Sequence, residues 1–101
     1  MLISHTRAIK ELTKILRPEL GKNIHSLVLY GSVARNEADI DSDIDIMIDF
    51  EETKSLMKIG GIQYDLEEML GRPVDLVSRK NIKPSIKKNI LNDVKVLYEK
   101  R

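Results

Sequence analysis

Between Asp43 and Phe50 the chain alternates strictly. Ile44, Ile46, Ile48 and Phe50 fall on one parity, and Asp43, Asp45, Met47 and Asp49 on the other. Side chains of a strand point alternately to opposite faces, so this run is a half-buried strand with its apolar side turned to a core. The same alternation sends Asp43 and Asp45 to one face, with Cα atoms about 6.5–7 Å apart. The rest of the chain must cover the apolar face and decide what the two carboxylates meet.

The segments around this strand supply helices and further strands. Ile9, Leu12, Ile15, Leu16 and Leu20 are spaced as one face of a helix, with Ser4 or Thr6 as its cap and Pro18 and Gly21 marking where it kinks or stops. The apolar run 24–30 predicts a central strand that ends at Gly31, and 31–37 reads as a turn into a short helix. Helical spacing returns at Leu56, Ile59, Ile62, Leu66, Met69 and Leu70 within 53–70. A break is expected at Gly60-Gly61, and Gly71 ends the segment. A third strand, 73–78, sets Val74 and Leu76 opposite Asp75 and Val77. Pro84 opens a last helix whose buried stripe would be Ile86, Ile90 and Leu91, and 94–98 reads as a short edge strand. Strands interleaved with helices give an α/β (α+β) class: a small mixed β-sheet of three to four strands, backed by helices on one face.

At 101 residues the chain is read as one domain, 1–101, with one modest core and no separate substrate-binding domain, so a large acceptor must come from outside. The formal net charge of +1 favours neither nucleic acid nor an acidic partner. The chain has no cysteine, which excludes disulfides and thiolate metal sites. The first residues carry no apolar segment of the secretory kind, and the apolar runs are too short for a membrane span. The expected location is the cytoplasm, with no membrane partner.

Three features carry chemistry: Gly31-Ser32-Val33-Ala34-Arg35, Ser42-Asp43-Ile44-Asp45, and Asp75. Two metal ions at a phosphoryl-transfer centre sit about 3.5–4 Å apart, and a D-x-D pair on a strand can supply the protein's share of their oxygen ligands. Asp75, on a neighbouring strand and opposite its apolar neighbours, could complete one metal site and act as base for an acceptor hydroxyl. Such reactions ask mainly for positioning and charge neutralisation. Gly31 lets the backbone approach a phosphate closely, Ser32 adds a hydroxyl, and Arg35 one turn on offers a planar donor fork. Each feature alone is weak, since a solvated strand face or a plain helix cap explains it equally well. Their value is joint, and it requires the strands to be neighbours.

Taken together, G-S-x-A-R followed by S-D-x-D resembles the signature of the DNA polymerase β-like nucleotidyltransferase superfamily, in its short form, the minimal nucleotidyltransferase (MNT). The resemblance runs from about Ile24 to Val77, with the elements in the family's order. It implies the nucleotidyltransferase fold, and nucleotide binding at Gly31, Ser32 and Arg35, with Ser42 of the same signature. It also implies Asp43, Asp45 and Asp75 as catalytic and metal-holding carboxylates, ATP as substrate and two Mg2+ ions. Stand-alone chains of this length resemble the antitoxins of HEPN/MNT toxin–antitoxin pairs. The implied activity is transfer of AMP from ATP to a tyrosine of the HEPN ribonuclease toxin. The alternatives are an antitoxin that only binds its toxin, and a nucleotidyltransferase acting on a small molecule or RNA end. One departure is Asn36, where many relatives carry glycine after the arginine; asparagine tolerates the left-handed conformation better than most residues.

Other features read as structural. Asp39, Asp41, Asp43 and Asp45 recur at alternate positions, but the glycine and glutamate of a calcium loop are replaced by Ile44 and Phe50. His5 and His25 have no ligand spacing, and Tyr30, Tyr64 and Tyr98 read as packing residues. The basic segment 79–88 reads chiefly as a solvated face, with Arg79 or Lys80 in possible reach of a triphosphate. Nothing in it suggests base stacking, so direct nucleic-acid binding is not expected.

Overall fold

The computed structural model describes residues 4–82 and 84–100. Its elements are α1 (His5–Leu16), β1 (Ile24–Tyr30), α2 (Gly31–Ala34), β2 (Ile44–Phe50), α3 (Leu56–Leu70), β3 (Val74–Ser78), α4 (Pro84–Ile90) and β4 (Lys95–Glu99), with short 3-10 turns after α1, β3 and α4. The four strands form one mixed sheet in the order β3-β2-β1-β4. β1 is antiparallel to both neighbours, and β2 runs parallel to β3. The predicted central strand is thus central, and the predicted last strand is an edge.

One face of the sheet carries the core. Leu27, Leu29, Ile44, Ile46, Ile48, Phe50, Val74 and Leu76 meet Ala8, Leu12 and Leu16 of α1 and Ile59, Leu66 and Leu70 of α3. This is the isoleucine parity of β2, covered by the two amphipathic helices. The aspartate parity is not bare throughout, because Met47 and its cross-strand partner Val28 are both buried.

Helix ends follow side-chain chemistry. Ser4, not Thr6, caps α1, its hydroxyl accepting from the Arg7 amide at 3.1 Å. Ser55 caps α3 in the same way through the Lys58 amide, so this helix starts later than the sequence pattern indicates. Gly71 closes α3 in the left-handed conformation, its N–H donating to the Glu67 carbonyl at 2.8 Å. The expected break at Gly60-Gly61 is absent, and α3 runs through both glycines. Each glycine costs a helix interior about 0.5–1 kcal/mol, which the burial of Ile59, Leu66 and Leu70 offsets. Leu56 and Met69, which share the helical spacing of Ile59, Leu66 and Leu70, are 76% and 66% exposed. The core contact uses a narrower face of the helix than the apolar spacing suggested. Of the stripe proposed for α4, Ile90 is half-buried, and the side chains of Ile86 and Leu91 lie outside the described residues, as does Lys83.

β3 is an edge strand, and α3 satisfies its outward donors. The Val74 amide donates to Glu67 Oε2 at 3.3 Å and the Leu76 amide to Gln63 Oε1 at 3.0 Å. Two side chains of one helix thereby replace a missing strand neighbour. This fixes β3 against β2 in register, which matters because β3 carries Asp75.

Candidate active site

The β1–β2–β3 register brings three side chains into one row. Tyr30 pairs with Asp45, and Asp45 with Asp75. Adjacent strands lie about 4.8 Å apart, so these side chains stand side by side on the face opposite the helices. Asp43 precedes β2 by one residue and is exposed. The sequence reading required the two aspartate strands to be neighbours; they are, and they run parallel.

Charge makes the row strained. Burial, the negative charges of Asp75 and Asp43, and a side-chain hydrogen bond with Asp75 push the Asp45 carboxyl up to about 6, against an opposing pull from Arg35. Asp45 is therefore within electrostatic reach of all three partners. The Tyr30 hydroxyl is held well above its ordinary range, first by burial and then by the charges of Asp75 and Asp45. It remains a neutral donor beside the carboxylates. Sequence reading took Tyr30 as a packing residue. Its place at the strand end just before Gly31, in the row that faces Asp45, was the missed signal.

Gly31 sits where β1 turns into α2, with φ at +75°. A Cβ there would run into the Asp45 carboxylate, at a separation far inside van der Waals contact. Glycine is thus required twice, by the backbone angle and by the carboxylate against its Cα. α2 is a single turn, in which the Arg35 amide donates to the Gly31 carbonyl at 3.1 Å. The Arg35 guanidinium pairs with Glu37, its Nε donating to Oε2 at 3.2 Å. Asn36 adopts φ +63°, so the position at which relatives carry glycine does use the left-handed region, and asparagine supplies it. Ser42 holds the loop before β2: its hydroxyl accepts from the Asp39 amide at 2.9 Å, and its amide donates to the Asp39 carbonyl at 3.1 Å.

Lys80, at the start of the basic segment, is not part of this row. β3 runs parallel to β2, so residues after Ser78 emerge at the far end of the sheet, roughly 13 Å or more along the strand from Asp75. There Lys80 donates to the carbonyls of Phe50 and Glu51 at 2.7 and 2.9 Å. Its ammonium caps the end of β2 and is not directed at a triphosphate beside Asp45. His25 pairs with Glu51 at the same end, a structural contact as expected.

The donor set fits Mg2+ when substrate completes the shell. Among the described residues, no three His, Cys, Asp or Glu side chains form a cage for an ion by themselves. What the site offers is two adjacent carboxylates with a third in electrostatic reach, each repelling the others. Mg2+ is commonly held by one or two carboxylates plus water and phosphate oxygens, and a divalent cation here would relieve the repulsion that raises Asp45.

Comparison with known proteins identifies the family and the fold. Residues 9–97 match the model of the nucleotidyltransferase domain family. A protein adenylyltransferase, MntA, of Thermococcus cleftensis is 42% identical over 81 residues, covering 80% of each chain. A Methanocaldococcus jannaschii chain provisionally named a protein adenylyltransferase is 41% identical over 86 residues, covering 84% of this chain and 92% of its own. Among solved structures, a toxin–antitoxin with AMP-PNP superposes with a TM-score of 0.80 at 22% identity, over 91% of this chain and 73% of that one. A tri-AMPylated Shewanella oneidensis HEPN toxin in complex with MNT antitoxin gives 0.74 at 20% identity, over 93% and 71%. At those identities the structural likeness concerns the fold.

Proposed function

The chain belongs to the nucleotidyltransferase domain family, and from that premise we propose that it transfers AMP from ATP, with Mg2+, to a tyrosine of a cognate HEPN ribonuclease toxin, acting as the toxin's antitoxin in the cytoplasm. The observation that carries the reading is the Asp45–Asp75 pair, in register on parallel strands, with Gly31 packed against the Asp45 carboxylate. The relatives named protein adenylyltransferase support protein as the acceptor class, and the complex holding an AMPylated HEPN toxin supports the partner.

In the proposed mechanism, Gly31, Ser32, Arg35 and Ser42 hold the triphosphate. The Gly31 turn admits a phosphate close to the backbone, and the Arg35 guanidinium, already within electrostatic reach of Asp45, neutralises charge on it. Asp43, Asp45 and Asp75 would hold two Mg2+ ions, which supply charge neutralisation on the phosphates and polarise the α-phosphorus. Asp75, exposed at the edge of the row, accepts the proton of the acceptor hydroxyl. The acceptor oxygen bonds to the α-phosphorus, the bond from that phosphorus to the bridging oxygen breaks, and pyrophosphate leaves. Tyr30, in register with Asp45 and kept neutral by burial and by the two carboxylates, adds no further charge to the row.

The test is transfer of label from α-labelled ATP and Mg2+ to the HEPN partner, beside an Asp43→Ala/Asp45→Ala control. Label on the partner that disappears in the control is the expected result. Undiminished labelling by that control, or by Asp75→Ala, would refute the mechanism. A stable complex that is never labelled would make the chain an occluding antitoxin instead.

A further inference from the structure

We propose that Arg72, with His5, clamps the Ser42 carbonyl and thereby positions the Asp43/Asp45 strand end for catalysis. This inference rests on the reading that those carboxylates hold the metal of nucleotidyl transfer. Arg72 is a positioning residue; it does not meet substrate.

Arg72 is 3% exposed, a burial seldom given to a guanidinium unless its donors are engaged. Its Nη1 donates to the Ser42 carbonyl at 3.1 Å and lies 2.8 Å from His5 Nε2, which in turn lies 2.9 Å from the same carbonyl. With the ring proton on Nε2, His5 donates to the carbonyl beside Arg72. With it on Nδ1, Nε2 accepts from Arg72. In both tautomers the guanidinium holds the carbonyl.

The placement of this contact gives it its consequence. Ser42 directly precedes Asp43, and its amide and hydroxyl are already bonded to Asp39, so all three of its polar groups are held. Arg72 itself stands three residues before Asp75. Next to it, the Pro73 carbonyl accepts from the Ile44 amide at 3.2 Å, where the β2–β3 pairing begins. One buried side chain therefore ties together the start of α1, the loop before the D-x-D strand and the root of the Asp75 strand. The left-handed Gly71 sets the turn that leads into it. Ordinary packing at this place needs volume only, which methionine would supply. The guanidinium adds a directed bond to the peptide that carries Asp43, and residues behind a metal's ligands commonly change affinity or activity about 10–100-fold when removed.

The experiment uses the whole chain as wild type, Arg72→Met, Arg72→Lys and His5→Ala. Each is measured for thermal stability, for Mn2+ affinity by MnCl2 titration in the presence of AMP-PNP, and for kcat and KM(ATP) in label transfer. Arg72→Met is expected to weaken Mn2+ binding about tenfold or more and to lower kcat similarly, with KM(ATP) changed far less. Arg72→Lys recovers part of both, since an ammonium can still donate to the carbonyl. A folded Arg72→Met with wild-type Mn2+ affinity and kcat overturns the clamp. Should Arg72→Met fail to fold, the decision passes to His5→Ala, for which unchanged Mn2+ affinity and kcat are the overturning result. Wild type that neither binds Mn2+ with AMP-PNP nor transfers label sinks the nucleotidyltransferase reading itself, whereas loss of the clamp alone leaves wild-type activity standing.

Discussion

Replacing Asp45 by asparagine should abolish transfer and yet stabilise the metal-free protein at neutral pH. Asp45 is partly buried, hydrogen-bonded to Asp75 and repelled by Asp75 and Asp43. Its carboxyl is raised from 3.8 to about 6. Each unit corresponds to about 1.4 kcal/mol, which sets a ceiling of about 3 kcal/mol on the cost of ionising it in the folded state. The side chain is partly exposed, and solvent screening brings this to roughly 1–2 kcal/mol. A folded pKa above the unfolded one means that native Asp45 holds its proton longer. The stability it contributes is complete below about 3.8 and is lost as pH rises through about 6. Asparagine removes the charge, keeps the shape and can donate to Asp75. In EDTA at pH 7.5, the variant should melt roughly 5–10 °C above wild type, since 1 kcal/mol shifts Tm by about 4–8 °C in a domain of this size. The gap should close towards pH 4. Mg2+ with AMP-PNP should raise the wild-type Tm more than that of the variant. Calorimetric melts at three pH values are sufficient. A variant that melts at or below wild type at pH 7.5, or a gap that does not shrink with acid, would refute the electrostatic account.

Gly31→Ala should lose label transfer at least as severely as Asp45→Asn and also lower the Tm, because φ +75° costs a side chain about 1–2 kcal/mol and the new methyl displaces the Asp45 carboxylate. Gly60→Ala and Gly61→Ala should each stabilise by about 0.5–1 kcal/mol, because both lie in α3 and an added Cβ meets nothing within 4 Å; a fall in Tm for either would show that the glycines serve the helix in some other way. Lys80→Met should lower stability by about 0.5–1.5 kcal/mol through the loss of its bonds to two carbonyls that water can partly replace, while KM(ATP) stays within about twofold. A large rise in KM would return Lys80 to the nucleotide site.

How much was legible in the sequence depended on how local the cause is. The D-x-D strand, the Gly31 turn, the Gly71 stop and the left-handed Asn36 were readable, because period-two alternation and backbone tolerance are properties of adjacent residues. The break placed at Gly60-Gly61 was a local inference overruled by packing: α3 is held by Ile59, Leu66 and Leu70 against the sheet, and burial outweighs two glycines. The reach given to Lys80 failed because the direction of β3 relative to β2 decides which end of the sheet follows Asp75. Arg72 carried no sequence signal of its importance, and the signal at Tyr30, its place just before Gly31, gains meaning only from the register that sets it beside Asp45.

By itself the sequence determined which faces are apolar, where the chain turns and which carboxylates are offered, since those follow from side-chain chemistry at fixed spacing. Only the tertiary structure decided that Asp45 lies beside Asp75 and Tyr30, that Lys80 is tied to the far end of β2, and that the Arg72 guanidinium is buried on Ser42. Strand order, register and burial arise from pairing residues tens of positions apart, and no local pattern contains that information.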